Sequence, residues 1–288
     1  MKIFNGKKES LKLLNKLKAQ INASTSSTHT KLKPHLAVFL IGEDKASKIY
    51  VNLKKQAAEN IGVKFSLYKY KKDANEADII KKIKELNKDK EVSGIIVQLP
   101  LPEAFSAEKI ISGIDPKKDA DGFHKKNLKA LKAGESVLMS PVLPGVILHT
   151  LRLAQKKGLE KKKIKALVNS KLFGDVLRSF FLINGLELEF FVAKNSSLEE
   201  VEKFIENADV LISVVGKKEF IKGKMLKDGV ILIDSGITKK GKKVYGDFEF
   251  ESCLKKAKFL TPVPGGVGPM TVALLLRNVV FQAFKIET

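Results

Sequence analysis

LAVFLIGEDKASKIYVNLKKQAAENIGVKFSLYKY, residues 36–70, changes its hydrophobic period twice. Leu36 to Gly42 is a continuous apolar run, the pattern of a strand buried on both faces. From about Lys45 to Asn60 the apolar residues recur at helical spacing, Gly62 supplies a stop, and 63–70 reads as a second strand. NEADIIKKIKELNKD (75–89) then reads as a helix and SGIIVQLPLP (93–102) as a third strand closed by proline. Strand and helix alternate through this whole stretch, which makes one βαβαβ unit with a largely parallel sheet.

A second unit of the same kind follows the turn at Pro141 to Gly145. Helices are expected over about 144–157, 174–184 and 197–208, and strands over 164–169, 186–193, 209–216 and 229–236, a sheet of the dinucleotide-binding type. PVPGGVGPMTVALLLRNVVFQAF (262–284) is a glycine and proline loop leading into an apolar helix, expected to return to the first domain. The fold class is therefore α/β, with two βαβ-type domains: 1–140 plus 266–288, and 141–265. ASTSSTHT (23–30) reads as a polar loop before the first sheet.

Composition narrows the function. With 288 residues and 44% hydrophobic content the chain can fill two cores. Its apolar runs are broken before the roughly 18–20 residues a membrane span needs, so no span is expected. MKIFNGKKES lacks the apolar stretch of a secretory signal, and the single Cys253 permits no internal disulfide; both fit a cytoplasmic protein. The net charge of +21 raises the question of a nucleic-acid partner. Only Arg152, Arg178 and Arg277 are arginines, however, and the lysines are dispersed, a pattern of solvated surface rather than of base or phosphate readout. No nucleic acid, membrane or metal is expected to bind.

Four strings carry polar groups where α/β sheets place ligands. On the first helix Ile49, Leu53, Ala57 and Ile61 form an i, i+4 row expected to face the sheet, and Tyr50 and Lys54 lie about 100° round, at its edge. A lysine partly desolvated there loses basicity and becomes suited to proton transfer. Gln98 stands at the carboxyl end of a buried strand, Asp119 and Asp121 flank the turn at Gly122, and 262–269 holds three glycines and three prolines in eight residues. Each also has a plain structural reading: a packing tyrosine, a strand-end amide, an aspartate-capped turn, a rigid interdomain turn.

Taken together, AVFLIGEDKASKIYVNLKKQAAENIGV, GIIVQLPLP, PKKDADGF and TPVPGGVGPMTVALL resemble, in order, the blocks of the bifunctional methylenetetrahydrofolate dehydrogenase/methenyltetrahydrofolate cyclohydrolase family, FolD type. The resemblance implies that Lys54 is the catalytic lysine and Tyr50 the aromatic residue that positions the folate. It makes Gln98 the amide partner of the lysine and Asp121 the carboxylate that binds the pterin. Val97, Leu99 and the backbone of Pro264, Gly265, Gly266, Val267 and Gly268 would complete the folate pocket. It further implies tetrahydrofolate one-carbon derivatives as substrates, NADP or NAD as cofactor, and a homodimer.

The cofactor half departs from the family. Where the family has Gly-Arg-Ser, this chain has Val168, Asn169 and Ser170, followed by Gly174. Val168 is expected to crowd the pyrophosphate, and Asn169 lacks the charge that pairs with a 2′-phosphate. Lys194, at the end of the next strand, and Lys171 are the cations left to do so; Asn169, Ser170, Gly174 and Ile237 are the other expected cofactor contacts. An alternative follows, in which the cyclohydrolase persists while the dehydrogenase is weak or lost; a noncatalytic folate-binding protein is the remaining one.

Overall fold

A computed structural model describes residues 2–26, 33–135, 139–241 and 243–285. The chain opens with β1 (Lys2–Ile3) and α1 (Gly6–Ser26), then runs β2 (His35–Ile41), α2 (Lys45–Ile61), β3 (Lys64–Tyr70), α3 (Glu76–Lys88), β4 (Gly94–Val97), α4 (Ala107–Ile111) and α5 (Lys125–Lys132). It continues through α6 (Val142–Ala154), β5 (Ile164–Val168), α7 (Lys171–Ile183), β6 (Glu189–Val192), α8 (Leu198–Ile205), β7 (Val210–Val214) and β8 (Val230–Asp234). A hairpin of β9 (Thr238–Lys240) and β10 (Lys243–Tyr245), α9 (Phe250–Leu254), β11 (Ala257–Leu260) and α10 (Val267–Phe284) complete it.

The chain forms two compact units. The first, Ser10–Ala130, Ser136–Val142 and Val272–Thr288, is built on a parallel sheet ordered β3-β2-β4. Every residue of β2 is buried, as its unbroken apolar run requires. One face of this sheet packs Phe39, Ile41, Ile95 and Val97 against Ile79 and Ile83 of α3 and Ile110 of α4. α10 returns to this unit: Asn278 donates from Nδ2 to the carbonyls of Ala120 and Ser140 at 2.9 and 2.8 Å. A Cβ added to Gly94 would meet Val279 at 2.8 Å, so strand and helix touch through the missing side chain. α10 is long and apolar enough to cross a membrane, but more than half of it is buried inside the protein, as in a core helix.

The second unit, Met1–Glu9, Leu131–Glu135 and Leu143–Thr271, holds the parallel sheet β1-β11-β8-β7-β5-β6. From β6 to β11 this is the doubly wound order 2-1-3-4-5, whose direction reverses between β5 and β7.

Several expectations are corrected. The first nine residues leave the segment 1–140 for the second unit, because β1 pairs with β11 through Lys2↔Phe259 and Ile3↔Leu260. Residues 131–135 and 266–271 likewise fall in the second unit. Of the expected polar loop 23–30, residues 23–26 are the last turn of α1 and 27–30 lie outside the described residues. On α2 the buried row is Ser47, Val51, Ala58 and Ile61, while Ile49 and Leu53 are 55% and 46% exposed. The buried positions follow alternating steps of four and three through Lys54, so of the expected row Ile61 alone is buried, and close approach to the fully buried β2 favours the small side chains of Ser47 and Ala58. Lys54 thus belongs to the buried row itself, between Val51 and Ala58.

Asn278→Ala should destabilise the protein by about 2–4 kcal/mol, since two buried carbonyls lose their donor. The midpoint of urea unfolding checks this; an unchanged midpoint would mean that the α10 contact contributes nothing.

Candidate active site

In the first unit β2 and β4 are neighbours although α2, β3 and α3 separate them in sequence, so the sheet order reverses between them and leaves a crevice at their carboxyl ends. The Lys54 amine and Gln98 meet there. α2 is fixed at both ends: Asp44 caps it by accepting from the Ser47 N–H at 2.6 Å, and Gly62 closes it in the left-handed conformation, φ 88°. Gln98 leaves β4 with its N–H on the Phe39 carbonyl at 2.9 Å. Its Nε2 donates to the Leu99 carbonyl at 2.7 Å, which turns Oε1 toward Lys54, and the amine donates to that oxygen at 2.8 Å.

Asp121 reaches the same place by another route. Residues 118–120 run beside β4, with Ile95 N–H on the Lys118 carbonyl at 2.7 Å and Ala120 N–H on the Ile95 carbonyl at 3.3 Å. Gly122 then turns the chain at φ 75°, where a Cβ would strike Pro141 at 2.7 Å. The two aspartates of this turn divide the two readings open to them. Asp119 is the cap: it is buried, accepts from the His124 N–H at 2.6 Å, and burial pushes its carboxyl up to about 7. Asp121 is the one whose charge acts on Lys54.

Burial pushes the Lys54 amine below the ordinary lysine range, and the Asp121 carboxylate opposes that shift. Burial also raises Asp121, against the pull of Lys54. The result is an amine that spends one N–H on Gln98 and, once neutral, holds a lone pair able to take a proton. Tyr50, one turn earlier and half-buried, has its phenol raised by burial and so stays neutral. Leu99 is about half exposed, but Val97 is packed into the core beside Phe39 and Ile95.

In the second unit the 262–268 loop divides its glycines between two jobs. A Cβ on Gly6 would lie 1.8 Å from the Gly266 carbonyl oxygen, and one on Gly266 would lie 2.4 Å from the Pro262 oxygen, so both are required for the loop's own packing. A Cβ on Gly265, at φ 101°, or on Gly268 would meet nothing within 4 Å; Pro264 is exposed, whereas Val267 is buried. Gly6, which also donates to the Gly265 carbonyl at 3.0 Å, was not legible as part of this loop, since nothing in its sequence neighbourhood marks a partner 260 residues away.

The dinucleotide end is corrected twice. Val168 is 0% exposed: its side chain lies in the core of β5 and does not crowd an open groove. Gly174 is buried against the Phe190 ring, where a Cβ would come within 2.3 Å, so it serves helix–sheet packing rather than ligand contact. Asn169, Ser170, Lys171, Lys194 and Ile237 are exposed near strand ends. Ser170 caps α7 by accepting from Phe173 N–H at 3.3 Å, and Lys171 pairs with Asp175 at 2.9 Å. Ala193 N–H bonds the Val168 carbonyl at 2.9 Å, so Asn169 and Lys194 leave the sheet from adjacent strand ends. An uncluttered strand end, a helix N-terminus and a neighbouring lysine fit a dinucleotide phosphate.

A parallel-sheet unit with a desolvated lysine at its reversal point, joined to a doubly wound unit of dinucleotide type, defines a cofactor-dependent α/β enzyme. Residues 4–121 match the model of the tetrahydrofolate dehydrogenase/cyclohydrolase catalytic domain, and 141–287 that of the family's NAD(P)-binding domain. The chain is 38% identical over 289 residues to the bifunctional protein FolD of Acetivibrio thermocellus, covering 99% of this chain and 98% of that one. The FolD crystal structure from Campylobacter jejuni superposes with a TM-score of 0.90 at 33% identity, covering 99% of each chain. The bifunctional enzyme of Thermoplasma acidophilum gives 0.86 at 28%, also covering 99% of each. This chain belongs to the tetrahydrofolate dehydrogenase/cyclohydrolase family, FolD type.

If the Lys54 environment is as described, its amine titrates below the bulk of the lysines in NMR of ¹³C-lysine-labelled protein. Asp121→Asn should lower that midpoint further, because the lost carboxylate was holding the proton on. A Lys54 midpoint equal to that of exposed lysines would overturn the assignment.

Proposed function

We propose that the chain interconverts 5,10-methylenetetrahydrofolate, 5,10-methenyltetrahydrofolate and 10-formyltetrahydrofolate, with Lys54 as the proton-transfer group. The bond from Lys54 to Gln98 is the observation that carries the reading: it holds a desolvated amine with its lone pair available. In the hydrolytic step water adds to the methenyl carbon, loses a proton to the amine, and the ring C–N bond opens to the formyl group as that nitrogen takes a proton. The net change is one water consumed and one proton released. Orientation and proton transfer are all this step asks of the protein.

The roles proposed for the other residues of the first unit follow the family pattern. Tyr50 positions the folate, Asp121 binds the pterin and sets the basicity of Lys54, and Leu99 with the Val97 backbone borders the substrate. The exposed Pro264 and the unfilled space beside Gly265 and Gly268 are assigned to substrate as well. Nicotinamide cofactor, when bound, accepts the hydride of the dehydrogenase step; Asn169, Ser170 and Ile237 would border it, and Lys194 would meet a 2′-phosphate. Lys194 makes no ion pair among the described residues, whereas Lys171 is held by Asp175, so Lys194 is the better candidate and NADP the better cofactor. The chain is further read as a cytoplasmic homodimer, the state implied by the family pattern, with the unpaired edge of β6 and the exposed Leu182 and Val192 as one available contact.

Absorbance of methenyltetrahydrofolate with the purified protein tests the hydrolase, and of methylenetetrahydrofolate with NADP or NAD the dehydrogenase. Lys54→Met should cost about 10²–10⁴-fold in hydrolysis with unfolding little changed; retained turnover refutes the role of Lys54. Reduction of neither cofactor would leave a cyclohydrolase alone. Lys194→Glu should weaken NADP roughly tenfold or more and NAD far less, as loss of a charged phosphate contact does; equal losses would remove Lys194 from the 2′-phosphate.

A further inference from the structure

At the ends of β7 and β8 two buried aspartates, remote from Lys54 in sequence and in the other unit, are built into a reciprocal lock. Asp247 accepts from Ser213 Oγ at 2.6 Å and from three successive backbone amides, Val215 at 2.8 Å, Gly216 at 3.0 Å and Lys217 at 2.7 Å. Asp234 accepts from the amides of Gly236, Asp247 and Phe248 at 3.0, 3.2 and 3.1 Å. Asp234 thereby holds the backbone that carries Asp247. Each carboxylate lies against a glycine beside the other: a Cβ on Gly236 would sit 2.0 Å from Asp247 Cγ, and one on Gly246 would sit 2.1 Å from Asp234 Oδ2.

The segment so held lies where a ligand is expected. Residues 215–217 leave the carboxyl end of β7, which pairs with β5 at the reversal of strand order, the crevice in which doubly wound sheets bind nucleotides. Three amides turned inward onto one carboxylate are not available to an anion. The carbonyls of the same residues accept no hydrogen bond among the described residues. A loop in this state has no N–H left at 215–217 to offer a phosphate, so what it contributes to the crevice is the fixed course of its backbone.

We propose that Asp247, supported by Ser213 and Asp234, is a positioning residue that sets the 215–217 backbone for dinucleotide binding without touching the ligand. This rests on the cofactor reading above and is tested so that the two can fail separately. Asp247→Asn places an amide donor among donors, and Ser213→Ala removes a single bond while leaving the carboxylate in place. Hydrogen exchange of the cofactor-free protein is measured at the 210–218 peptide, and NADP affinity by calorimetry, with hydrolysis of methenyltetrahydrofolate as the control for an intact first unit.

The expected result is faster exchange at 215–217 in both variants, a loss of NADP affinity of about tenfold or more in Asp247→Asn and a smaller loss in Ser213→Ala, with hydrolysis retained. Unchanged exchange, or faster exchange with unchanged affinity, overturns the proposal. Should Asp247→Asn fail to fold, Ser213→Ala decides by the same two measurements. Wild-type protein that binds neither NADP nor NAD would refute the cofactor reading and, with it, the ligand half of this proposal, while the exchange data would still decide whether Asp247 fixes the loop.

Discussion

An amine placed on the buried face of a helix must give up its charge, find a partner, or force the helix away from the sheet, and α2 is built so that the third escape is closed. Its start is tied by Asp44 and its end by Gly62, and the residues flanking Lys54 on the buried row, Val51 and Ala58, are small enough to seat the helix closely on β2. The amine is then left with Gln98 as hydrogen-bond partner and Asp121 as a charge that acts without a direct ion pair among the described residues. Desolvation against one opposing carboxylate is the balance on which the proton-transfer reading stands.

That balance needs backbone precision at the far side of the site. Gln98 presents its oxygen to Lys54 only because its nitrogen is already bonded to the Leu99 carbonyl, and Asp121 is carried by a segment that runs beside β4 before the turn at Gly122. The neighbouring Asp119 spends its carboxylate on the His124 amide. Two acids two residues apart therefore do different work, because the chain turns between them, with Gly122 N–H bonded to the Asp119 carbonyl at 3.1 Å.

Much of this was legible in the sequence, and the failures have identifiable causes. The alternation of strand and helix from Leu36 onward set both sheets, and the order of the four blocks brought Lys54, Gln98 and Asp121 onto one list before any geometry. The buried face of α2 was misread because Ile49 and Leu53 are more apolar than Ser47 and Ala58, whereas close packing on a sheet depends on volume as well as hydrophobicity. The pairing of β1 with β11 and the seat of Gly6 under Gly266 are contacts between the two ends of the chain, which no local pattern encodes. Val97 entered the expected folate pocket only through the family resemblance, and in the structure its side chain is buried beside Phe39 and Ile95.

The cofactor end shows how a degenerate motif and an intact fold can coexist. A glycine-rich fingerprint solves one geometric problem, close approach of backbone to a phosphate, and its loss matters only if the replacing side chain points at the ligand. Val168 points into the core of β5, so what this chain has given up is the charge at Asn169, not the space beside it. The bond between Ala193 and Val168 sets the two strand ends side by side, so that Lys194, the cation proposed for the 2′-phosphate, leaves the sheet next to Asn169. Loop shape cannot be borrowed so easily, and here it is secured by Asp234 and Asp247, two buried acids whose donors are mostly main-chain amides. Main-chain donors are present whatever the side chains, so a lock of this kind depends on few residues: the two aspartates, the glycines that give them room, and Ser213. The dinucleotide unit can then lose its familiar signature while keeping the shape that the signature served.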